Sequence, residues 1–174
     1  MKQGDLHVVV LLYVNDMIIT GNNDNEVASL QEELSIRFDI KKLEELHHFL
    51  GLEITNTSKG IFVTQERYAK KLVDRSQAFR ALVGSLLYLT ITRTGIAFSV
   101  GYVILFMQSP RKPHLEAAKR ILKYINSTSE LGLFFQRKNN LVLIGYTDAD
   151  FGGDMDNRRS TSGYIFLCDG TSVS

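Results

Sequence analysis

The sequence predicts an α+β fold in which short β-hairpins are followed by packed amphipathic helices. Stretches rich in β-branched and aromatic residues, typical of strands, occur near the N-terminus, around residues 49–65 and again after residue 131. Between them, apolar residues recur at three- and four-residue spacing, which is the period of one helix face. The composition, 44% apolar and 22% charged with two prolines, indicates a globular chain that can bury a core.

The first predicted element is a β-hairpin in the stretch VVVLLYVNDMIITG. Residues 8–14 and 17–20 have the composition of strands. The polar pair Asn15-Asp16 between them is typical of a two-residue turn. This pattern therefore predicts a hairpin with a polar tip.

A helix is predicted next, and either Asp24 or Asn25 can serve as its N-cap. Its apolar positions recur at helical spacing, with charged residues on the other side. These apolar residues are Val27, Leu30, Leu34 and Phe38. We expect this face to pack on the sheet of the first hairpin.

A second hairpin and a group of helices are predicted in the middle of the chain. Residues 49–55 and 61–65 are the strands of the hairpin, and the polar residues 57–60 are its turn. The predicted helices are residues 66–75, 78–90, 96–108 and 114–125. The helix that follows Pro113 has a basic stripe formed by Lys112, Lys119, Arg120 and Lys123.

Strand-like composition returns in the last part of the chain. The predicted strands there are residues 131–136, 141–151 and 161–170. The polar residues 137–140 are expected to form the hairpin turn between the first two. The element order therefore ends in a β-meander.

Charge and cysteine content exclude several classes of protein. The net charge of +1 gives no overall attraction to nucleic acid or to membranes. Cys168 is the sole cysteine, so a disulfide within the chain and a Cys/His zinc motif are both excluded. The N-terminus lacks the features of a signal peptide, which predicts an intracellular protein. The two most apolar stretches, residues 81–92 and 96–107, are shorter than the ~20 residues of a membrane span.

Two places in the sequence carry carboxylates that could bind a metal ion. One is Asn15-Asp16 at the hairpin tip, and the other is the motif YTDADFGGD, in which Asp148 and Asp150 end a strand. Residues at two-residue spacing on a strand share a face, and Mg²⁺ prefers such oxygen ligands. By pattern alone, ordinary turn residues and solvated strand ends explain both places better.

Several longer blocks resemble the Pol polyprotein of copia-type LTR retrotransposons. LLYVNDMIITG resembles the Tyr-x-Asp-Asp hairpin of reverse transcriptases. LHHFLGLEI with GIFVTQERYAKKLV is similar to the segment that grips the primer strand. FRALVGSLLYLTITRTGIAFSVG and PHLEAAKRILKYINSTSELGLFF resemble the helical connection, and GYTDADFGGDMDNRRSTSGYIFL resembles the start of ribonuclease H. These blocks follow the family's order over nearly the whole chain.

The resemblance implies three parts and an enzymatic ancestry. Residues 1–75 correspond to the C-terminal part of the reverse transcriptase palm, 76–130 to the helical connection and 131–174 to a truncated start of ribonuclease H. The family activity is RNA-templated DNA synthesis with hydrolysis of the RNA strand, and it uses Mg²⁺ and a primer–template or RNA/DNA hybrid. The implied catalytic and metal-binding positions are Asn15, Asp16 and Asp148. The implied nucleic-acid-binding residues are Phe49, Leu50, Gly51, Lys119, Arg120 and Lys123.

The chain departs from the family pattern at positions that matter for catalysis. Asn15 stands where the resemblance places a metal-binding Asp, and Asn supplies a neutral oxygen in place of a charged one. By the resemblance, we expect this chain to lack the fingers, the palm strand with the other catalytic Asp and the downstream partners of Asp148. YAKKLVDR and FRALVGS are joined through Ser76-Gln77 where the family has some tens of residues. Thr94-Gly95 replaces the usual Pro-Asp.

These departures predict an inactive remnant of a retrotransposon polymerase and ribonuclease H polyprotein. We expect no productively bound Mg²⁺, weak or no binding of nucleic acid, and no membrane association. The alternative is a non-catalytic nucleic-acid-binding or assembly module, suggested by the basic stripe and by Arg158-Arg159. A third hypothesis is a split enzyme completed by another chain, against which Asn15 argues. Exposed sheet edges also predict poor solubility.

Overall fold

The structure is a computed structural model that describes residues 7–38, 40–43, 45–73, 78–137, 141–152, 158, 160 and 162–173. The chain forms two compact units, Met1–Phe49 and Leu50–Ser174. Helices and antiparallel strands follow one another along the chain, so the predicted α+β class is confirmed. The division into palm, connection and ribonuclease H parts stays a prediction.

The first unit contains a hairpin, one long helix and a short strand. Its elements are β1 (Val8–Tyr13), β2 (Asp16–Gly21), α1 (Asp24–Arg37) and β3 (His48–Phe49). β1 and β2 pair in antiparallel fashion, and Tyr13 lies opposite Asp16. The hairpin is therefore confirmed, but its two-residue turn is Val14-Asn15 and not Asn15-Asp16. The register decides this, because Asp16 is already paired as the first residue of β2.

Helix α1 begins one residue earlier than the sequence suggested. Asn23 is its N-cap, and its side-chain oxygen accepts hydrogen bonds from the amides of Asn25 (3.0 Å) and Glu26 (3.4 Å). Asp24 or Asn25 as the cap was wrong, because both already have helical backbone. The helix packs on β2. Phe38 is exposed, whereas the rest of the predicted apolar face is half-buried, namely Val27, Leu30 and Leu34.

The second unit opens with a three-stranded antiparallel arrangement. Its strands are β4 (Leu52–Asn56), β5 (Gly60–Thr64) and β6 (Leu133–Gln136). β5 pairs with β4 on one side and with β6 on the other, where Phe62 lies opposite Phe134. The hairpin predicted between residues 131–136 and 141–151 is therefore wrong. β6 pairs with a strand far away in the sequence, and residues 138–140 of the expected turn lie outside the described residues.

The helices of the second unit surround its hydrophobic core. They are α2 (Glu66–Val73), α3 (Phe79–Leu89), a 3₁₀ turn (Thr94–Ile96), α4 (Ala97–Ile104) and α5 (Lys112–Ser127). Their buried side chains recur at three- and four-residue spacing, as a helix face requires. The core includes Leu72, Leu82, Val83, Leu86, Leu89, Val100, Val103, Ala118, Ile121 and Ile125. In the described part of the chain, no helix is both long and apolar enough to span a bilayer.

Helix α4 is shorter than the predicted segment 96–108. The amide of Phe106 bonds to the carbonyl of Val103 (3.2 Å), and that of Met107 bonds to the carbonyl of Ile104 (3.0 Å). These three-residue hydrogen bonds tighten the end of the helix into 3₁₀ geometry. The apolar residues after Ile104 therefore leave the regular helix although their composition would allow it to continue.

The last strands form a small sheet with little cover. They are β7 (Leu143–Ala149), β8 (Ser162–Cys168) and β9 (Thr171–Ser172), and β9 was not expected. Both faces of the β7–β8 pair carry exposed apolar residues, for example Tyr146 on one face and Tyr164 on the other. The Thr171 hydroxyl donates a hydrogen bond to the carbonyl of Phe134 in β6 (2.6 Å). The identification of this sheet with ribonuclease H stays a prediction.

Candidate functional site

The tip of the first hairpin contains a residue in an unfavourable backbone conformation. Val14 has φ of 50°, and of the two turn residues it is the one with positive φ. Glycine, asparagine and aspartate are the residues preferred at a hairpin turn position with positive φ. A left-handed conformation costs an L-residue ~1–2 kcal/mol, and a β-branched residue rarely adopts it. Val14 is 78% exposed, so packing of its own side chain does not offset this cost.

Asn15 and Asp16 are both exposed next to this residue. Asp16 carries the charge, whereas Asn15 offers one neutral oxygen. A tightly held Mg²⁺ takes its protein ligands chiefly from carboxylates. Within the described ranges, no group of three Asp, Glu, His or Cys side chains is arranged to hold a metal ion. The residues brought together at the tip therefore do not fit a two-metal centre by themselves, and the expected lack of productive Mg²⁺ binding stays a prediction.

Asp148 lies on β7 opposite Gly163 and is exposed. Its Oδ1 accepts a hydrogen bond from the neighbouring amide of Ala149 (2.9 Å). β7 ends at Ala149, one residue before Asp150. Asp150 therefore lies outside the strand, and the alternation of side chains along a strand does not place it on the same face as Asp148.

The residues expected to grip nucleic acid, Phe49, Leu50 and Gly51, lie at a tight turn. Phe49 is buried, at 8% exposure, whereas Leu50 is 38% exposed, and their contact with nucleic acid stays a prediction. Leu50 and Gly51 have φ of 50° and 73°. The Tyr88 hydroxyl of α3 donates a hydrogen bond to the Leu50 carbonyl, and a Cβ at Gly51 would overlap that hydroxyl. The predicted strand 49–55 is therefore interrupted, because Phe49 ends β3 and β4 begins at Leu52, and the turn between them is fixed to α3.

Helix α5 carries four cations on its solvent side. We call this surface the α5 basic face, and it consists of Lys112, Lys119, Arg120 and Lys123. All four are exposed, whereas Ala118, Ile121 and Ile125 on the opposite side are buried. None of the four forms an ion pair with any carboxylate of the described residues. Arg158 is also exposed, while Arg159 lies outside the described residues.

The sequence analysis missed the role of Arg93. This residue is 7% exposed, and its Nη1 and Nη2 groups donate hydrogen bonds to the hydroxyl (3.2 Å) and the carbonyl of Thr128 at the end of α5. Burial lowers the pKa of the Arg93 guanidinium, and the charges of Tyr124, Glu130 and Glu66 offset this only in part. A positive charge near a helix C-terminus is stabilising. The one sequence signal was an arginine between two apolar stretches.

Comparisons with known proteins identify a matching family and several relatives of this chain. Residues 1–82 match the family described as reverse transcriptase (RNA-dependent DNA polymerase). The chain is 36% identical to the retrovirus-related Pol polyprotein from transposon RE1 of Arabidopsis thaliana over 95% of its own length. It is 33% identical to that from transposon TNT 1-94 of Nicotiana tabacum over 96%. It spans 13% and 15% of the length of these relatives.

A shorter relative is matched over most of its length. An uncharacterized mitochondrial protein of Arabidopsis thaliana is 30% identical, and the alignment covers 89% of this chain and 76% of that protein. No solved structure matches the chain significantly. The order of elements, the hairpin with Asn15-Asp16 and these relatives lead to one assignment. The chain belongs to the retrovirus-related Pol polyproteins of copia-type transposons, and its N-terminal half corresponds to their reverse transcriptase.

Proposed function

We propose that this chain is a catalytically inactive remnant of a retrotransposon RNA-directed DNA polymerase and ribonuclease H polyprotein. The observation that carries the proposal is Asn15 at the tip of the β1–β2 hairpin, where the family resemblance places a metal-binding carboxylate. Asp16 and Asp148 are then vestiges of the two catalytic centres. The hairpin keeps its shape, because that shape depends on strand pairing and not on the charge at its tip.

The chemistry explains why one side chain matters so much. Two-metal phosphoryl transfer stabilises the attacking and leaving oxygens with two divalent ions about 4 Å apart. Several carboxylates must offset the mutual repulsion of these ions, and a neutral amide at a central position removes one full negative charge. Asn15 and Asp16 are moreover exposed to water, which weakens the attraction of the one remaining carboxylate for a cation.

Primer extension tests this proposal directly. The purified full chain is incubated with a primed RNA template, deoxynucleotides and Mg²⁺, and with a labelled RNA/DNA hybrid to detect ribonuclease activity. We expect neither product. Template-dependent extension or cleavage of the RNA strand by this chain would overturn the proposal.

A second experiment distinguishes an inactive chain from one part of a split enzyme. Asn15→Asp is assayed together with a polypeptide of an active relative that supplies the fingers and the other palm carboxylate. Asn126→Asp, an exposed position on α5, is the matched control for the same change of charge. If Asn15→Asp extends the primer and Asn126→Asp does not, the split enzyme is favoured. If neither variant extends the primer, the split enzyme is excluded.

The α5 basic face supports a second candidate, a non-catalytic nucleic-acid-binding module. Its four cations are exposed and unpaired among the described residues, so they can contact phosphates without first breaking an ion pair. A solvated helix face is the ordinary explanation of such a pattern, because the net charge of the chain is only +1. The two explanations differ in the salt dependence that they predict.

Fluorescence anisotropy with an RNA/DNA hybrid distinguishes them. The dissociation constant is measured over a series of salt concentrations for the unaltered chain, for Lys119→Gln with Lys123→Gln, and for Lys59→Gln. Lys59 is exposed in the β4–β5 turn and serves as the matched control. If the basic face binds phosphates, each of its substitutions lowers the slope of log K against log salt by about 1. No binding at low salt would refute the module.

A further inference from the structure

Arg93 is a buried cation with no carboxylate partner among the described residues. The residue is only 7% exposed. A buried charge is costly unless it is paired or hydrogen-bonded. Thr128 supplies two uncharged oxygens, and the end of α5 supplies at most a partial negative charge of about 0.5. The positive charge of Arg93 is thus only partly compensated.

The guanidinium of Arg93 also keeps unused hydrogen-bond donors. An arginine side chain carries five N–H groups arranged in a planar fork. Thr128 accepts from two of them, one on Nη1 and one on Nη2. The other N–H groups have no acceptor in the part of the chain that the structure describes. Such a fork is suited to bind an oxyanion with more than one hydrogen bond.

A cavity lies beside this guanidinium. We call it the Arg93 cavity, and its volume is about 150 Å³. Its lining residues come from the loop before α4, from α5 and from the start of β6. They include Arg93, Thr94, Gly95, Tyr124, Leu131 and Gly132. Gly95, Tyr124 and Leu131 are exposed, so the cavity has access to solvent.

The size of the Arg93 cavity limits what can occupy it. Sites for drug-sized ligands and cofactors measure roughly 300–1,000 Å³, so a whole nucleotide does not fit. By the same measure of volume one water molecule needs about 10–15 Å³, so the cavity has room for a group of a few heavy atoms. A single phosphate group has this size, carries the complementary charge and offers several acceptor oxygens. Apolar ligands would leave the N–H groups of Arg93 without acceptors.

We propose that the Arg93 cavity binds one phosphate group, held by the free N–H groups of Arg93 with the Thr94 hydroxyl beside it. The ligand is either inorganic phosphate or a phosphodiester of a nucleic acid strand. This site does not depend on the proposed loss of catalysis, because it lies away from the hairpin tip in sequence and uses none of its residues. It also differs from the α5 basic face, whose cations are exposed and do not line the cavity.

Gly95 provides a substitution that blocks the site without removing Arg93. A Cβ at Gly95 would meet no atom within 4 Å, so a side chain can be accommodated there. Gly95→Asp places a carboxylate at the cavity, where it competes with phosphate for Arg93. Gly101→Asp is the matched control, because Gly101 is exposed on α4, has the same free space and does not line the cavity.

Isothermal titration calorimetry with sodium phosphate at constant ionic strength tests the proposal on the full chain. We expect binding by the unaltered chain and by Gly101→Asp, and at least about tenfold weaker binding by Gly95→Asp. Arg93→Gln is a second variant, and gel filtration and circular dichroism show whether it is folded. If Arg93→Gln does not fold, Gly95→Asp still decides the outcome. The proposal is overturned if, both in this titration and in the oligonucleotide titration that follows, Gly95→Asp and Gly101→Asp bind equally well or the unaltered chain does not bind.

A second titration identifies the source of the phosphate. A single-stranded oligodeoxythymidylate is added to the same variants under the same conditions. If Gly95→Asp weakens oligonucleotide binding more than Gly101→Asp does, the cavity takes a phosphodiester. If only the titration with inorganic phosphate responds, the cavity takes the free ion. Either result supports an oxyanion site at Arg93, and a response in neither refutes it.

Discussion

Gly51 offers the sharpest test of how the second unit is held together. Its φ of 73° lies in the left-handed region, and a Cβ there would overlap the hydroxyl of Tyr88. That hydroxyl donates a hydrogen bond to the Leu50 carbonyl. Gly51→Ala therefore introduces backbone strain and displaces a hydrogen-bonded group at the same time. Gly51 therefore has a structural role, and its expected contact with nucleic acid stays a prediction.

The size of the effect follows from these two contributions. The left-handed conformation costs an alanine ~1–2 kcal/mol. Loss of the hydrogen bond between Tyr88 and Leu50 costs ~0.5–1.5 kcal/mol. Alanine also restricts the unfolded chain, which offsets ~0.4–1 kcal/mol of the loss. We expect Gly51→Ala to lower the free energy of unfolding by about 0.5–3 kcal/mol.

Urea unfolding followed by circular dichroism measures this change. Gly84→Ala is the matched control, because Gly84 is exposed within α3 and a Cβ there meets nothing within 4 Å. That control should raise the stability by ~0.5–1 kcal/mol. In a Tyr88→Phe background the effect of Gly51→Ala should shrink, because the overlapping hydroxyl is gone. Equal effects of Gly51→Ala in both backgrounds, or a gain in stability like that of Gly84→Ala, would refute the reasoning.

Three further predictions concern the core, the hairpin tip and the exposed sheet. Leu86→Ala removes a side chain that is 0% exposed and should lower the free energy of unfolding in urea by ~2–5 kcal/mol. Leu87→Ala, at a position that is 52% exposed, should lower it much less, and similar losses for the two variants would contradict the assigned core. Val14→Gly relieves ~1–2 kcal/mol of backbone strain in the folded hairpin, but the greater freedom of glycine stabilises the unfolded chain by ~0.5–1 kcal/mol. Hydrogen exchange of the β1–β2 amides should therefore slow or stay unchanged, and clearly faster exchange would count against a left-handed Val14. Tyr146→Lys with Tyr164→Lys should raise the monomer fraction in gel filtration, because the two side chains are 57% and 66% exposed; an unchanged fraction would show that this sheet does not drive association.

The helices of the second unit could be predicted well from the sequence, because their core positions are periodic. Leu82, Leu86 and Leu89 recur at helical spacing and are all buried. The end of α4 could not be predicted, since apolar composition continues beyond Ile104 while the hydrogen-bonding pattern changes. The N-cap of α1 was missed by one residue, because Asn23, Asp24 and Asn25 are all of types that can cap a helix.

The candidate site, too, could be predicted from the sequence only in part. Asn15 could be identified from the surrounding blocks of sequence, since the resemblance aligns it with a metal ligand. The turn at Val14-Asn15 could not, because a polar pair at residues 15–16 is also a favourable turn and only strand register separates the two. Arg93 was overlooked because a single arginine in an apolar stretch does not reveal what will surround it.

The sequence by itself determined the family, the helical periodicity and the presence of Asn15 where the resemblance places a charged ligand, because each of these depends on residue identity and local spacing. Tertiary structure alone decided that β6 pairs with β5 and that Arg93 is buried beside Thr128 and a small cavity. The physical reason is that these features join residues far apart in the chain. Strand partners and the surroundings of a buried charge depend on how distant segments pack, and local composition does not encode that packing.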